Sequence, residues 1–261
     1  MLLENKVILV TGSTTGIGEA IARRSVQEGA RVMVHGLEED WARRICEDLG
    51  QDVADFVIAD IGDPAACERL VDETVTRFGH IDGLVNNAAT MRRSNLDTTD
   101  ADVFDFVIGI NLRAPMLISR AAVHAFRRQG TGGSIVNIGS INWLSGEPNL
   151  LAYSAAKGGM VTMTRNLANA LGPENIRVNQ INPGWVPTTN EIALKISEGL
   201  SPDWHENLPR HYAPSGRMTQ PAEIASHVVF WLSSQSAPAS GIVYEAEQYS
   251  PYGRNTPKAN L

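Results

Sequence analysis

The stretch KVILVTGSTTGIGEAIA, residues 6–22, decides how the chain folds. Val7, Ile8, Leu9 and Val10 form an unbroken apolar run, which as a strand needs cover on both faces. Gly12, Gly16 and Gly18 follow where strand gives way to helix-type patterning. Gly12 permits a tight turn, Gly16 lets backbone approach a diphosphate, and Gly18 lets the helix lie close on the sheet. The helix N-terminus adds N–H donors and a partial positive charge. The spacing Gly-x-x-x-Gly-x-Gly is not the commoner Gly-x-Gly-x-x-Gly, so the turn alone is also readable as a plain tight connection. Its place after a first strand, with a second strand and acidic residues following, favours a dinucleotide site.

Outward from this turn, short β-rich runs recur at 31–36, 53–60, 81–89, 133–140, 176–184 and 241–247. Helix-type patterns such as 18–29, 64–79 and 114–130 lie between them. Strands joined by crossover helices form a parallel sheet with helices on both faces, here with seven strands expected. One segment breaks the alternation: residues 185–218 carry Pro187, Pro202, Pro209 and Pro214 and follow a strand's C-terminal end, where open α/β sheets place ligands. It is expected to be a substrate loop.

The 261 residues show no linker or repeat, so one domain spanning 1–261 is expected, with a C-terminal tail from about 246. A net charge of −7 argues against nucleic acid or an anionic membrane as partner and for a small molecule. Cys46 and Cys67 have no partner at disulfide or zinc-ligand spacing, and no metal is implied. HENLPRH (205–211) separates its histidines by six positions with Pro209 between, so a zinc-binding helix is excluded. Glu4, Asn5 and Lys6 interrupt any signal-peptide core, and no run approaches the ~18 apolar residues of a membrane span. A cytoplasmic protein is expected.

The pentapeptide YSAAK (153–157) sets a tyrosine four positions before a lysine among small residues. On a helix, Tyr153 and Lys157 share one face, and a cation beside a phenol favours its ionised form. Taken alone, the pair is also readable as a half-buried tyrosine with a solvated lysine.

TGSTTGIG (11–18), NNAA (86–89), Asn111, Ser140, Tyr153, Lys157, and NPG (182–184) with Thr188 together resemble the short-chain dehydrogenase/reductase family, from about Lys6 to about Val243. Ala89 is a mild departure from the commoner NNAG. The resemblance implies a Rossmann-type, doubly wound α/β fold and an NAD(P)-dependent oxidoreductase acting on a secondary alcohol or ketone. It implies that Tyr153 is the general acid or base. Lys157 would lower its pKa and bind the nicotinamide ribose, Ser140 would hold the substrate oxygen, and Asn111 would fix a water in a proton relay.

For the cofactor it implies Gly12, Thr14, Thr15, Gly16, Ile17 and Gly18 at the phosphates and Gly36 and Leu37 at the adenosine ribose. Asp60 and Ile61 would meet the adenine, with Asn87, Ala88 and Ala89 beside it. Tyr153, Lys157, Pro183, Gly184, Val186 and Thr188 would surround the nicotinamide end. Asp60 is alternatively the N-cap of the helix near Pro64. Thr15, Gly36 and Leu37 carry neither the acidic NAD signature nor the basic NADP one, and Glu38, Glu39 and Asp40 favour NAD over NADP. His35 reads as a ribose or phosphate contact or as a structural residue.

Ser140, Asn142, Trp143, Glu147, Tyr153, Asn190 and His211 are the substrate candidates, a polar set suited to a sugar, polyol or hydroxy acid. The tail, with Glu247, Gln248, Tyr249, Tyr252 and Arg254, departs most from the family and has an interface-like composition. The resemblance implies a homotetramer built on helices 100–130 and 152–172 and the last strand. Two alternatives stand beside the dehydrogenase: a catalytically silent dinucleotide-binding regulator, and a dehydratase or epimerase using the same cofactor. A regulator has no need of Asn111, Ser140, Tyr153 and Lys157 together.

Overall fold

A computed structural model describes residues 1–206, 208–210 and 213–250. The alternation expected from the sequence is realised: β1 (Val7–Val10), α1 (Gly16–Gln27), β2 (Arg31–Gly36), α2 (Glu39–Leu49), β3 (Ala54–Ile58), α3 (Pro64–Phe78) and β4 (Gly83–Asn86). Then come α4 (Ala101–Ile108), α5 (Ala114–Gln129), β5 (Gly133–Ile138), α6 (Asn142–Ser145), α7 (Leu151–Leu171), β6 (Ile176–Pro183), α8 (Thr189–Ser197), α9 (Pro221–Leu232) and β7 (Val243–Ala246). The seven strands form one sheet in the order β3-β2-β1-β4-β5-β6-β7, with every pairing parallel. Strand order reverses between β1 and β4, which opens a crevice at their C-terminal ends.

Alternation along β1 explains the two layers. Val7 and Leu9 join a core with Leu70, Ile118 and Phe126 from α3 and α5, whereas Ile8 and Val10 join a second core with Ile21, Ile45 and Val228 from α1, α2 and α9. Each fully buried side chain of this kind contributes roughly 1.5–3 kcal/mol, so a strand apolar on both faces ties the helical layers together.

Local signals place the helices. Asp63 caps α3 by accepting from the Ala65 N–H at 3.0 Å, with Pro64 in the first turn and Gly79 ending the helix in the left-handed region. The N-cap of this helix is therefore Asp63 and not Asp60, whose carboxylate instead accepts from the Gly62 N–H at 2.8 Å. Asp100 caps α4 through the Val103 N–H, and Gln220 with Glu223 forms a capping box on α9.

The continuous helical stretch Ala101–Gln129 is apolar and long enough to cross a membrane by length and composition, with a mean hydropathy of 1.4 over its most apolar window. Half of that window is buried in the protein, where Ile118, Ala122 and Phe126 form core, so packing against the sheet accounts for its apolarity. Both cysteines are buried free thiols, and burial pushes their pKa values up, Cys46 to about 12 and Cys67 to about 11.

Candidate active site

β5 ends at Ile138, and Gly139 turns the chain so that Ser140 faces the crevice end of the sheet. A side chain at 139 would displace two amides: a Cβ there would stand 1.8 Å from Asn182 Oδ1 and 2.4 Å from Gln180 Nε2. Those amides belong to a buried polar chain across the sheet. Asn86 Nδ2 donates to Ser119 Oγ and Asn137 Oδ1, Asn137 Nδ2 to Thr164 Oγ1, and Thr164 Oγ1 to Gln180 Oε1. Gln180 Nε2 then donates to Asn182 Oδ1, and Asn182 Nδ2 to Glu245 Oε1. Buried amides linked in this way hold β4 to β7 in register under the site.

Tyr153 and Lys157 project from one face of α7, as their spacing dictates. Tyr153 is 6% exposed, and its hydroxyl shares a hydrogen bond with the Ser140 side chain. Ser140 Oγ in turn accepts from the Asn142 N–H at 3.2 Å. Lys157 is 2% exposed, and its Nζ donates to the Ile138 carbonyl at 2.7 Å, 5.5 Å from the centroid of the Tyr153 ring.

The electrostatics differ from the sequence expectation. Burial pushes the Tyr153 phenol up to about 12; the Ser140 hydrogen bond works in the opposite direction and the Glu191 carboxylate adds to the rise. Burial likewise pushes Lys157 down to about 8. The ammonium is engaged by a backbone carbonyl, and desolvation is the largest influence on the phenol. The chain by itself holds a protonated tyrosine, so ionisation needs charge and hydrogen bonds brought by ligands.

Asn111 lies in a π-helical turn, Gly109–Arg113, that joins α4 to α5, and it is fully buried. Its Nδ2 donates to the Thr90 carbonyl at 2.9 Å and its Oδ1 accepts from the Thr90 N–H at 3.0 Å. The side chain clamps the segment after β4 onto the helix.

At the other side of the crevice, Gly12 (φ 61°) and Gly16 (φ 59°) adopt the left-handed backbone that glycine tolerates. A Cβ on Gly18 would lie 2.1 Å from the Gly12 carbonyl, so this helix sits as close to the turn as glycine allows. Thr15 occupies the N-cap of α1 without a side-chain cap bond, leaving first-turn N–H groups for an anion. Thr14 is buried, and Ile17 packs on the core behind the turn. Asn87 Nδ2 donates to the Thr11 and Gly12 carbonyls, each at 2.9 Å. Thr11 Oγ1 accepts from the N–H groups of Asn87 (2.9 Å) and Ala88 (3.1 Å). Thr11 was not singled out in the sequence, since a threonine before a glycine carries no signal until β4 is placed beside it.

His35 is structural rather than a cofactor contact. The Gly12 N–H donates to its Nδ1 at 3.0 Å, which leaves Nε2 as the protonated nitrogen facing the Ala59 carbonyl at 3.0 Å. Burial lowers its pKa, keeping the ring neutral. Gly36 and Leu37 end β2: a Cβ at Gly36 would meet Thr14 Cγ2 at 2.4 Å, and Leu37 is 65% exposed. Ile61 is core, while Asp60 and Ala89 are exposed. Val186 is buried, and Thr188 leans on the turn, with its Cγ2 3.0 Å from where a Gly16 Cβ would be. Pro183 closes β6, and Gly184 lies against the Glu247 carboxylate. Thr188 thus brings the segment after β6 against the glycine-rich turn.

The substrate candidates divide. Ser140 and Tyr153 meet. Trp143 is tied through Nε1 to Glu245 Oε1 at 3.0 Å, and Asn142 accepts from Ser145 Oγ at 3.0 Å. Glu147 is exposed and lies 3.6 Å from an Arg93 nitrogen. Asn190 is exposed, and the residue α8 buries is its neighbour Glu191, because helix phase turns position 191 inward. His211 lies outside the described residues, as do Tyr252 and Arg254. Among the described residues no group of His, Cys, Asp and Glu is arranged to hold a metal.

A family profile described as Enoyl-(Acyl carrier protein) reductase matches residues 12–246. The chain is 36% identical over 244 residues to trans-4-hydroxycyclohexanecarboxylate dehydrogenase of Sinomonas cyclohexanicum, covering 90% of this chain and 89% of that one. It is 34% identical to mouse (Mus musculus) L-fucose dehydrogenase, covering 98% and 93% of the two chains. The structure of 3-ketoacyl-(acyl-carrier-protein) reductase from Brucella melitensis complexed with NADH superposes with a TM-score of 0.83 at 30% identity, covering 94% of this chain and 98% of that one. With the parallel sheet, its glycine-rich turn and the clustered Ser140, Tyr153 and Lys157, these likenesses establish that the chain belongs to the short-chain dehydrogenase/reductase family and is an oxidoreductase.

Proposed function

We propose that this protein oxidises a secondary hydroxyl of a sugar, polyol or hydroxy acid, or reduces the matching ketone, with NAD as cofactor. The observation that carries the reading is the hydrogen bond between Ser140 and Tyr153 beside the buried Lys157, at the C-terminal end of β5. A nicotinamide dinucleotide held between the glycine-rich turn and Thr188 supplies the hydride acceptor or donor. In oxidation, Ser140 donates to the substrate oxygen and ionised Tyr153 takes the hydroxyl proton, while the carbinol carbon gives up its hydride and becomes a carbonyl. In reduction Tyr153 returns a proton to that oxygen. Lys157 keeps positive charge behind the phenolate, and Asn111 holds the loop after β4 in place.

NAD is favoured by the ribose end of the cradle. Thr14 fills the space over Gly36, Leu37 replaces a cation, and Glu38 and Glu39 stand exposed next to it, so a 2′-phosphate meets no positive partner there. The hydroxylated substrate class is supported by likeness to L-fucose dehydrogenase and by the segment that follows β6, which sets Trp185 against the buried Glu191. Residues 1–261 act on this reading as one domain, with 185–218 as its substrate loop.

The test is a panel of L-fucose, D-galactose, xylitol, lactate and cyclohexanol with NAD and NADP, following the absorbance of the reduced cofactor. A hydroxylated compound turned over with NAD is the expected result, and Leu37→Arg raises kcat/KM for NADP at least about tenfold by pairing the added phosphate. Turnover of cyclohexanol alone, or a wild-type preference for NADP, refutes the corresponding half. Phe104, Phe106 and Met116 are partly exposed along α4 and α5, which supports a homotetramer through these helices. Light scattering at assay concentration then gives four times the 28.3 kDa chain mass; a monomer mass rejects the assembly.

A further inference from the structure

Glu191 is the one residue of α8 that is fully buried, at 7% exposure, in a helix whose other positions are intermediate or exposed. Sequence assigns it an ordinary task, because Thr188-x-x-Glu191 is a capping-box pattern. Only half the box forms. The Glu191 N–H donates to Thr188 Oγ1 at 3.2 Å, while the Thr188 N–H that the carboxylate would take donates to the Val186 carbonyl at 2.9 Å. The carboxylate turns inward instead, and Oε1 accepts from Trp185 Nε1 at 2.9 Å. Oε2 is buried with no hydrogen-bond partner among the described residues.

A second unpaired group lies in the same cluster. Trp185 packs on Trp204 with ring centroids 4.6 Å apart, and the Trp204 indole N–H is also buried without an acceptor among the described residues. Burying a carboxylate oxygen and an indole N–H unpaired is unfavourable, and both are expected to be matched when the site is full. The carboxylate also lies near enough to Tyr153 to oppose ionisation of its phenol. The Lys195 ammonium lies 5.8 Å from the Trp185 ring and pairs with Glu198 at 2.7 Å rather than with Glu191.

We infer that Glu191 is a substrate-positioning residue: its second carboxylate oxygen accepts a hydrogen bond from a hydroxyl of a polyhydroxylated substrate, one other than the hydroxyl being oxidised. This rests on the oxidoreductase reading above and deepens it. An acceptor oxygen next to two indole rings matches a neutral sugar or polyol, whose hydroxyls donate while its C–H faces lie on aromatic surface. Substrates lacking the second hydroxyl leave the carboxylate desolvated and unpaired, and they are disfavoured for that reason.

The test compares wild type with Glu191→Gln, which retains an oxygen for Trp185 but puts an N–H₂ where the free acceptor stood. The fastest hydroxylated compound of L-fucose, D-galactose and xylitol is compared with cyclohexanol, which has one hydroxyl only. The expected result is a fall of roughly tenfold to a hundredfold in the ratio of their kcat/KM values, carried mainly by KM of the hydroxylated compound. The pH profile of oxidation also moves toward lower pH, since a negative charge near Tyr153 is gone. An unchanged ratio overturns the role of Glu191 and leaves the dehydrogenase reading standing. If wild type turns over cyclohexanol but none of the three, tryptophan fluorescence titration with each compound in the presence of NADH decides: no response overturns the inference, and binding lost in Glu191→Gln upholds it. Loss of turnover with every compound in wild type counts instead against the dehydrogenase reading, and the same titration still decides the role of Glu191.

Discussion

Tyr153→Phe lowers kcat/KM by about a thousandfold, within the range that general acid–base groups supply, while NADH binds with nearly wild-type affinity. The substitution removes a single oxygen from a ring that is 6% exposed and leaves the helix, the glycine-rich turn and Lys157 in place. What it removes is the atom that shares a hydrogen bond with Ser140 and exchanges the substrate proton. Loss of that bond costs about 1 kcal/mol of stability, too little to unfold the chain. The pH profile separates chemistry from structure. Oxidation needs the ionised phenol, so wild-type kcat/KM rises with pH while the tyrosine deprotonates. Because burial holds the phenol near about 12 in the chain alone, the rise continues above neutrality unless bound ligands bring the pKa down. The residual activity of Tyr153→Phe shows no such rise. Stopped-time assays across pH with parallel NADH fluorescence titration check both parts; turnover within tenfold of wild type would exclude the assigned role.

Residue type alone carried the seven strands and the shared helix face of Tyr153 and Lys157, whereas Asn111 and Ser140 were readable as site candidates only through the family resemblance. A run such as Val7–Val10 can only be a strand buried on two faces, and Tyr153 with Lys157 at i, i+4 can only share a helix face. What sequence could not give is how groups from distant strands divide their hydrogen bonds. Asn111 bonds Thr90, Lys157 bonds Ile138, and His35 links Gly12 to Ala59; each partner is fixed by strand order, which the residues themselves do not spell out. The same holds for the phenol. Proximity of a cation is readable from spacing, but the burial that dominates the phenol's pKa is a property of the packed core. Substrate residues were least readable because loops set helix phase: Asn190 and Glu191 are adjacent in sequence, and only α8 in place shows which of them is buried.

Lys157→Met makes the cofactor-free protein more stable near neutral pH while reducing turnover by at least about a hundredfold. Lys157 is 2% exposed and burial pushes its pKa down to about 8 from 10.5, so the folded chain binds its proton less tightly than the unfolded chain does. Between those values the unfolded state carries more protons, and stability rises with pH; below about 8 the whole penalty of holding a buried ammonium remains. A depression of this size corresponds to a penalty on the order of 3 kcal/mol. Methionine escapes it with a similar shape but leaves the Ile138 carbonyl without its donor, which returns about 1–3 kcal/mol. The stability difference between variant and wild type is therefore largest near neutrality, shrinks as pH rises through 8, and reverses near 10. Urea unfolding at several pH values and one protomer concentration measures it; a difference that does not change with pH would mean the ammonium is not held at an energetic cost. Cys46 and Cys67 also titrate in alkali, but both are present in each variant and drop out of the difference. On the proposed dehydrogenase reading, a lysine enclosed at such a cost beside Tyr153 places a positive charge behind the phenol that stabilises the phenolate as it forms.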